Sequence, residues 1–234
     1  MNEKELVLLP GTLCNGAVFS KQLSALEEAG YICHCIDFSV ASSVEAMTHR
    51  VLAEVGNRPF GIVAFSMGGM VAFELLRQVP QQVESLVLLA SNAHADLPGR
   101  AELRQTHLVQ AQQNGLGELI RELYMPNYLH HQALEHQTLI VEMAEQLGLE
   151  VFEAQLEVLA DRPDSSETMS TAICPMLILG GEQDPLCPPA EQQRMHELNA
   201  QSELHLLKGC GHFVTLESAE AVNQHLLTWL AGRM

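Results

Sequence analysis

Short apolar segments recur along the 234-residue chain, and several are continuously apolar rather than alternating between apolar and polar positions. Continuously apolar segments of this length are typical of strands that are buried on both faces, as in a parallel β-sheet. The predicted strands are Leu6–Leu9, Tyr31–Ile36, Phe60–Phe65, Val83–Ala90, Met176–Leu179 and Glu203–Leu207.

Between these strands, apolar residues recur with the spacing of amphipathic helices. The predicted helices are Ala17–Ala29, Ser43–Val55, Met67–Gln78, Ala190–Leu198 and Ala219–Leu230. A chain that alternates strands with helices forms right-handed crossovers, so the pattern predicts a doubly wound α/β sheet.

One long segment departs from this alternation. Between about His94 and Arg162 the chain has no convincing strand pattern, and its apolar residues follow helical spacing. Glycine and proline residues divide the segment into about four helices. We therefore predict an α/β core, residues 1–93 and 163–234, with a helical cap or lid inserted at residues 94–162.

The charge of the chain narrows the choice of partners. The sequence has 29 acidic and 12 basic side chains, which give a formal net charge of −17. A surface of this charge argues against nucleic acid and anionic membranes as partners. No apolar run is long enough to span a membrane, and the N-terminal MNEKELVLLPG lacks the features of a signal peptide. We predict a cytoplasmic monomer or homodimer.

The cysteines form no C-x-x-C pair and no ligand cluster of the kind that binds zinc. We interpret them as reduced thiols and expect neither a bound metal nor a cofactor. The six cysteines are Cys14, Cys33, Cys35, Cys174, Cys187 and Cys210.

The sequence AFSMGG places a serine between the third predicted strand and the helix that follows it. A sharp strand-to-helix turn brings the two backbones close together, so the positions beside its apex must be small. Ala64, Gly68 and Gly69 meet this requirement around Ser66. The turn would expose the hydroxyl at the carboxyl edge of the sheet, where ligands bind in parallel α/β folds. A serine that only caps the helix is the alternative.

A serine nucleophile needs a base, and the base needs an acid that orients it. Asp184 follows the fifth predicted strand in the loop GGEQDPLCPP, and Glu182 is the alternative acid. His212 follows the last predicted strand; among the 11 histidines it alone combines a strand-end loop with a flanking glycine and Phe213. Ser66, Asp184 and His212 thus follow three different strands at one edge of the sheet, which predicts a catalytic triad.

The segment PGTLCNG, after the first predicted strand, contains the first half of a phosphate-binding loop. Ala17 and Val18 occupy the places of its lysine and hydroxyl residue, so nucleotide binding is not expected. We interpret the segment as an oxyanion loop in which the Thr12 amide acts together with the Met67 amide. The Leu13 amide is the alternative to that of Thr12.

These motifs resemble those of the α/β-hydrolase superfamily over nearly the whole chain. LVLLPGTLC resembles the family's oxyanion segment with Pro10 in place of the usual histidine, and AFSMGG resembles its nucleophile elbow. GGEQDPLCPP resembles the acid loop and GCGHFVTLESAEAV the histidine loop. PGTLC, RPDS and CGH together resemble a group of short bacterial members.

The resemblance implies an α/β-hydrolase fold with a mainly six-stranded parallel sheet, which lacks the first two strands of the family. It also implies an all-helical lid insertion. The loop after the second strand present here, which in larger relatives has the pattern D-x-x-G-x-G-x-S, is shortened to residues 37–42, which leaves one side of the site less defined.

The function that the triad predicts is hydrolysis of a small or medium carboxylic ester through an acyl-enzyme intermediate, with thioesters and lactones as alternatives. The predicted substrate contacts are Leu13, Tyr124 and Met125. The cations in the insertion that could meet a carboxylate are Arg100, Arg104 and Arg121, although no pattern places them in the site.

The same scaffold supports other functions. C–C bond hydrolysis and cofactor-free perhydrolysis would use the same triad. A catalytically silent binding protein usually lacks a triad residue, and none is missing here.

Overall fold

The computed structural model describes residues 4–232. Within these residues the strands form one sheet in the order β2-β1-β3-β4-β5-β6, and every pair is parallel. The strands are β1 (Lys4–Leu9), β2 (Tyr31–Cys35), β3 (Phe60–Phe65), β4 (Val83–Leu89), β5 (Met176–Gly181) and β6 (Glu203–Leu207). The predicted six-stranded parallel sheet is therefore confirmed, with small differences at the strand ends.

Helices connect the strands and cover both faces of the sheet. They are α1 (Ser20–Glu28), α2 (Val44–Val55), α3 (Gly68–Gln78), α4 (Arg100–Asn114), α5 (Leu116–Leu119), α6 (Met125–Tyr128), α7 (Leu134–Ala160), α8 (Ser166–Thr171), α9 (Pro189–Leu198), α10 (Val214–Glu217) and α11 (Ala219–Ala231). A 3-10 turn precedes α1, and a π-helical turn at Ile120–Tyr124 joins α5 to α6. None of the helices between residues 4 and 232 combines the length with the apolar content that a bilayer crossing requires.

Successive side chains of a strand point to opposite faces of the sheet, and both faces are apolar here. In β1, Leu6 and Leu8 pack in a cluster that includes residues of α1 and α11. Val7 and Leu9 pack in a second cluster with residues of α2 and α3. All four side chains are fully buried. Helices on both faces explain why the strand sequences are continuously apolar.

The order of the strands determines where a ligand can bind. Because β1 lies between β2 and β3, the chain reverses its direction of winding between β1 and β3. In open parallel sheets, a crevice forms at such a point beyond the carboxyl ends of the strands. The segment PGTLC leaves β1 at this crevice, and the segment AFSMGG leaves β3. The loops after β5 and β6 lie at the same edge of the sheet.

The chain between β4 and β5 is helical, as the sequence predicts, and residues 94–162 contain no strand. Gly148 interrupts α7 with φ 83° and ψ 179°, so this element is two helices joined at a kink. Phe152 and Leu156 of α7 pack in the same cluster as the β1 and α11 residues. The insertion thus shares an apolar core with one face of the sheet. Its division from the core at residues 94 and 162, and its movement as a lid, stay predictions.

Candidate active site

Ser66 lies at a strained turn between β3 and α3. Its φ is 51°, in the left-handed region that costs energy for any residue other than glycine. The Ser91 hydroxyl donates a hydrogen bond of 2.9 Å to the Ser66 carbonyl and helps to hold this conformation. A Cβ atom on Gly68 would collide with the carbonyl of Leu9, and one on Gly69 with the Ser91 hydroxyl. Small residues are therefore required after the serine, because β1 and the loop after β4 approach the helix start closely.

The structure brings the three predicted triad side chains into one hydrogen-bonded relay. His212 Nε2 lies 2.9 Å from Ser66 Oγ, and His212 Nδ1 lies 2.8 Å from Asp184 Oδ2. The His212 amide donates to the carbonyl of Tyr128 at 2.9 Å, so the insertion helps to hold the histidine loop. The relay connects loops that follow β3, β5 and β6.

Asp184 is arranged to stay ionised although it is only 2% exposed. Its Oδ1 atom accepts hydrogen bonds from the amides of Leu186 and Cys187, at 2.8 and 3.0 Å. Burial would raise the pKa of Asp184, but His212 and these two amides outweigh burial and lower the pKa below its usual value. An ionised Asp184 favours a proton on His212 Nδ1, which leaves Nε2 free to accept the serine proton. Glu182, the alternative acid, is exposed.

Two backbone amides are candidates for an oxyanion hole. Thr12 and Met67 line the same cavity as Ser66. Because α3 begins at Gly68, the Met67 amide belongs to the helix start, where N–H groups have no acceptor within the helix. The Leu13 amide, which is the alternative donor, instead donates to Gln155 Oε1 at 2.7 Å.

A cavity of about 470 Å³ adjoins the triad and lies between the sheet edge and the insertion. Its apolar lining combines residues of both parts of the chain, namely Phe65, Met67, Met70, Leu97, Leu103, Phe152, Leu156, Leu159, Leu186 and Phe213. The size suits a small or medium ligand.

Of the three predicted substrate contacts, the structure places Tyr124 in the cavity wall. Its hydroxyl lies 2.7 Å from His107 Nδ1, and its ring stacks on Tyr128 with ring centres 5.6 Å apart. Leu13 and Met125 are instead buried in the apolar core, with 4% and 2% exposure. Residues four apart share a helix face, so Tyr124 and Tyr128 point together, and Met125 is turned away by about 100°.

Sequence reasoning missed Gln155, whose side chain reaches from the insertion to hold the loop after β1. Gln155 is 1% exposed and its side-chain oxygen accepts the Leu13 amide. The available indication was a polar residue three positions after Phe152, on the apolar face of a predicted helix.

Sequence reasoning named two cations of the cavity wall, Arg100 and Arg104, without placing them there, and it missed Arg162 and Arg194. Four of the chain's 12 basic side chains line the cavity, namely Arg100, Arg104, Arg162 and Arg194. Arg121, which the sequence placed beside Arg100 and Arg104 as a candidate, is exposed and lies 3.7 Å from Glu145. No pattern in the sequence separates Arg121 from the others.

One group of potential metal ligands coincides with the triad. Asp184, Cys187 and His212 each place a ligand atom within 4.8 Å of the others. Burial, and then the charge of Asp184, raises the pKa of the Cys187 thiol to about 12, so the thiol stays protonated. Since Asp184 and His212 already bind each other, the relay accounts for this grouping.

Comparison with known proteins identifies the class to which this fold and site belong. Residues 6–225 match the model of the alpha/beta hydrolase family, and the chain belongs to that family. The resemblance stated from the sequence motifs is thereby confirmed.

Two relatives show the range of activities in similar chains. A pimeloyl-[acyl-carrier protein] methyl ester esterase of Neisseria meningitidis is 26% identical over 191 residues, which cover 79% of this chain and 61% of that enzyme. A 2-hydroxy-6-oxononadienedioate/2-hydroxy-6-oxononatrienedioate hydrolase of Escherichia coli is 25% identical, with 98% and 88% covered. This chain therefore spans less than two thirds of the length of the first relative.

Solved structures share the fold at lower identity. A thermophilic esterase from Thermogutta terrifontis, in a malate-bound structure, matches with a TM-score of 0.87 at 23% identity. The match covers 98% of this chain and 90% of the esterase.

Proposed function

We propose that this protein is a serine hydrolase that cleaves a small or medium carboxylic ester through an acyl-enzyme intermediate. The observation that carries the proposal is the relay from Ser66 through His212 to Asp184, with contacts of 2.9 and 2.8 Å. These distances are within the range that proton transfer requires. The esterase names of the Neisseria and Thermogutta relatives support the same chemistry.

In the first half of the reaction, Ser66 Oγ attacks the ester carbonyl while His212 Nε2 takes its proton. The amides of Thr12 and Met67 stabilise the negative charge on the tetrahedral intermediate. Each such donor contributes about 3–4 kcal/mol in serine hydrolases where it has been removed. Ionised Asp184 stabilises the imidazolium that forms. His212 then protonates the leaving alcohol.

In the second half, a water molecule takes the place of the alcohol. His212 removes its proton, and the water oxygen attacks the acyl group on Ser66. Collapse of the second intermediate returns the proton to Ser66 and releases the acid. Every step uses residues of this chain, and none requires a metal or a cofactor.

The E. coli relative supports a second candidate function on the same residues. Its name describes hydrolysis of an oxo acid rather than of an ester, and the alignment covers 98% of this chain. In that case the carbonyl carbon would be attacked in the same way, with a carbon leaving group in place of an alcohol. Thioesters and lactones fit the first mechanism without change. The cytoplasmic location and the monomeric or homodimeric state stay predictions.

A series of p-nitrophenyl esters from acetate to dodecanoate tests the proposal, with the Ser66→Ala variant as the background. The ester hypothesis predicts turnover that peaks at short or medium acyl chains and falls to background in Ser66→Ala. A vinylogous 1,5-diketone acid, assayed in parallel by its absorbance, tests the second candidate. Turnover of the diketone alone would replace the ester hypothesis by C–C bond hydrolysis.

A further inference from the structure

The wall of the cavity beside Ser66 is positively charged in a strongly acidic protein. It contains the four arginines named above, and its acidic residues are Asp96 and Glu191. A count of these side chains leaves two positive charges at the cavity, whereas the whole chain has a net charge of −17. Cations concentrated at a cleft raise the local concentration of anionic ligands.

Two of the arginines already have an acidic partner, since Arg194 lies 3.5 Å from Glu191 and Arg104 pairs with Asp96. Arg104 binds Asp96 with two hydrogen bonds of 2.6 and 2.7 Å. Arg162 lies 3.5 Å from the same carboxylate, and Asp96 cannot offset both charges. The ion pair of Arg104 with Asp96 therefore stabilises the insertion, and the positive charge of Arg162 is compensated only in part.

Two guanidinium groups lack the partners that such groups usually have. Arg162 has a side chain that is only 10% exposed, and its Nε atom is buried without a hydrogen-bond partner in residues 4–232. Arg100 is exposed at the cavity and forms no ion pair within the same residues. A buried donor without an acceptor costs free energy, so Arg162 is held at the cavity wall at an energetic cost, and Asp96 compensates its charge only in part.

The positions of these residues on α4 direct the charge into the cavity. Arg100, Leu103, Arg104 and His107 lie three or four residues apart, so they share one face of the helix, and all four line the cavity. Burial, followed by the charges of Arg104 and Arg100, lowers the pKa of His107. Burial and these two positive charges therefore favour the neutral form of His107.

The segment RPDS, which the triad does not use, holds Arg162 in place. The Ser165 amide donates to the Ala93 carbonyl at 2.7 Å, and the Arg77 side chain donates to Ser165 Oγ at 3.2 Å. These bonds tie the chain directly after the insertion to the loop after β4 and to α3. Arg162 is thereby fixed where the insertion meets the core, at the cavity wall.

We propose that Arg100 and Arg162 form a subsite for a carboxylate group of the substrate, with Arg104 and Arg194 beside them. The substrate is then an ester that carries a second, ionised carboxyl group, on either its acyl or its alcohol part. This proposal rests on the proposed hydrolase function and specifies the class of substrate. A guanidinium binds a carboxylate through two parallel hydrogen bonds, which fixes direction as well as charge. Asp96 and Glu191 would repel a phosphate dianion more strongly than a carboxylate monoanion.

Matched substrates and variants test the subsite. The substrates are mono-p-nitrophenyl adipate, 4-(hexanoyloxy)benzoate and the neutral p-nitrophenyl hexanoate, which all have six-carbon acyl chains. The variants are Arg100→Gln and Arg162→Gln, with Arg121→Gln as the control that removes the same charge outside the cavity. Arg100 is exposed, so its variant is expected to fold even if Arg162→Gln does not.

For at least one carboxylate ester, we expect kcat/KM to fall by about 10- to 100-fold in Arg100→Gln and Arg162→Gln, as for lost hydrogen bonds to a charged group. For the neutral ester, kcat/KM should change by less than about 3-fold in these two variants. In Arg121→Gln, kcat/KM should stay unchanged for the charged and the neutral esters alike. Equal effects of all three variants, or equal effects on charged and neutral esters, would overturn the subsite. If no ester exceeds the Ser66→Ala background, the hydrolase proposal fails, and the subsite is judged by binding alone.

Calorimetric titration of the Ser66→Ala protein with adipate and with inorganic phosphate gives a readout that needs no turnover. Binding of adipate that is weakened in Arg100→Gln and kept in Arg121→Gln supports the subsite. Absence of adipate binding, or tighter binding of phosphate through the same arginines, contradicts the carboxylate assignment.

Discussion

The α/β core and the helical insertion contribute differently to the candidate active site. The core provides Ser66, Asp184 and His212 on loops that directly follow strands. The insertion provides Tyr124, much of the cavity wall and the Gln155 contact to the loop after β1. Sheet geometry fixes the first set, and packing between helices fixes the second. Both parts line the cavity and the core provides the relay, so changes in the two parts should have distinct effects.

The largest effect is expected for a change in the acid of the triad. Asp184→Asn removes the charge that orients and stabilises His212, so kcat should fall by about 1,000- to 10,000-fold. The Glu182→Gln variant is the matched control, since Glu182 is exposed in the same loop. Steady-state kinetics with the best p-nitrophenyl ester measure both. A comparable loss of kcat in Glu182→Gln would contradict the assignment of Asp184 as the acid.

A change in the elbow should damage the core itself. In Gly68→Ala the added methyl group would collide with the carbonyl of Leu9, and we expect a loss of about 3 kcal/mol in the free energy of unfolding. Gly232→Ala is the control, because the nearest atom to its new methyl group would be 3.9 Å away. Urea unfolding measures both variants. Equal stability of the two variants would show that the elbow is not tightly packed.

A change in the insertion should affect catalysis through the oxyanion loop. Gln155→Met keeps the side-chain volume and leaves the buried Leu13 amide without an acceptor. We expect kcat to fall by about 10- to 100-fold, because loss of a buried hydrogen bond displaces the loop. Gln146→Met is the matched comparison from the other side of the Gly148 kink, since Gln146 accepts from Asn15 of the same loop at an exposed position, where water can replace the lost acceptor. A change in KM alone would mean that Gln155 acts on binding rather than on the loop.

The smallest effect is expected for the stability that the ion pairs of Asp96 give to the insertion, which should decrease at low pH. Burial would raise the pKa of Asp96, but Arg104 and Arg162 outweigh it and lower the pKa. Its ionised form therefore stabilises the fold above the unfolded-state pKa of about 3.9, and this contribution disappears as the pH falls through the lower folded-state value. Asp96→Asn should be less stable than the wild type at pH 7, by about 1–3 kcal/mol.

Urea unfolding between pH 7 and pH 2.5 tests this dependence. The difference between wild type and Asp96→Asn should shrink as the pH falls below about 4. The exposed Asp161→Asn variant should show no such convergence. A difference that is constant with pH would mean that the ion pair does not stabilise the fold.

The sequence predicted the strands and the turn at Ser66 correctly, because both depend on the pattern of neighbouring residues. Continuous apolar runs identified the six strands, and the small residues around Ser66 located the turn, because both follow from the backbone alone. The sequence could not place Leu13 and Met125 relative to the cavity, because neither helical phase nor loop conformation is encoded in residue type. Leu13 has a φ of 54°, and Met125 follows a π-helical turn that shifts the register of the next helix.

The cavity arginines show the same limit. Arg100 and Arg104 recur with helical spacing, but the sequence does not say whether their helix turns this face to the sheet edge or to solvent. Arg162 and Asp96 lie at opposite ends of the insertion in the sequence, so their approach in space depends on how the whole insertion packs.

The central claim, that His212 activates Ser66, is tested most directly by covalent labelling with a fluorophosphonate followed by peptide mass mapping. The relay predicts one equivalent of label on the peptide that contains Ser66, in the wild-type protein. Labelling should be lost in Ser66→Ala and slowed by about 1,000-fold or more in His212→Ala. Labelling of Ser66 at the wild-type rate without His212, or labelling of another residue, would contradict the account.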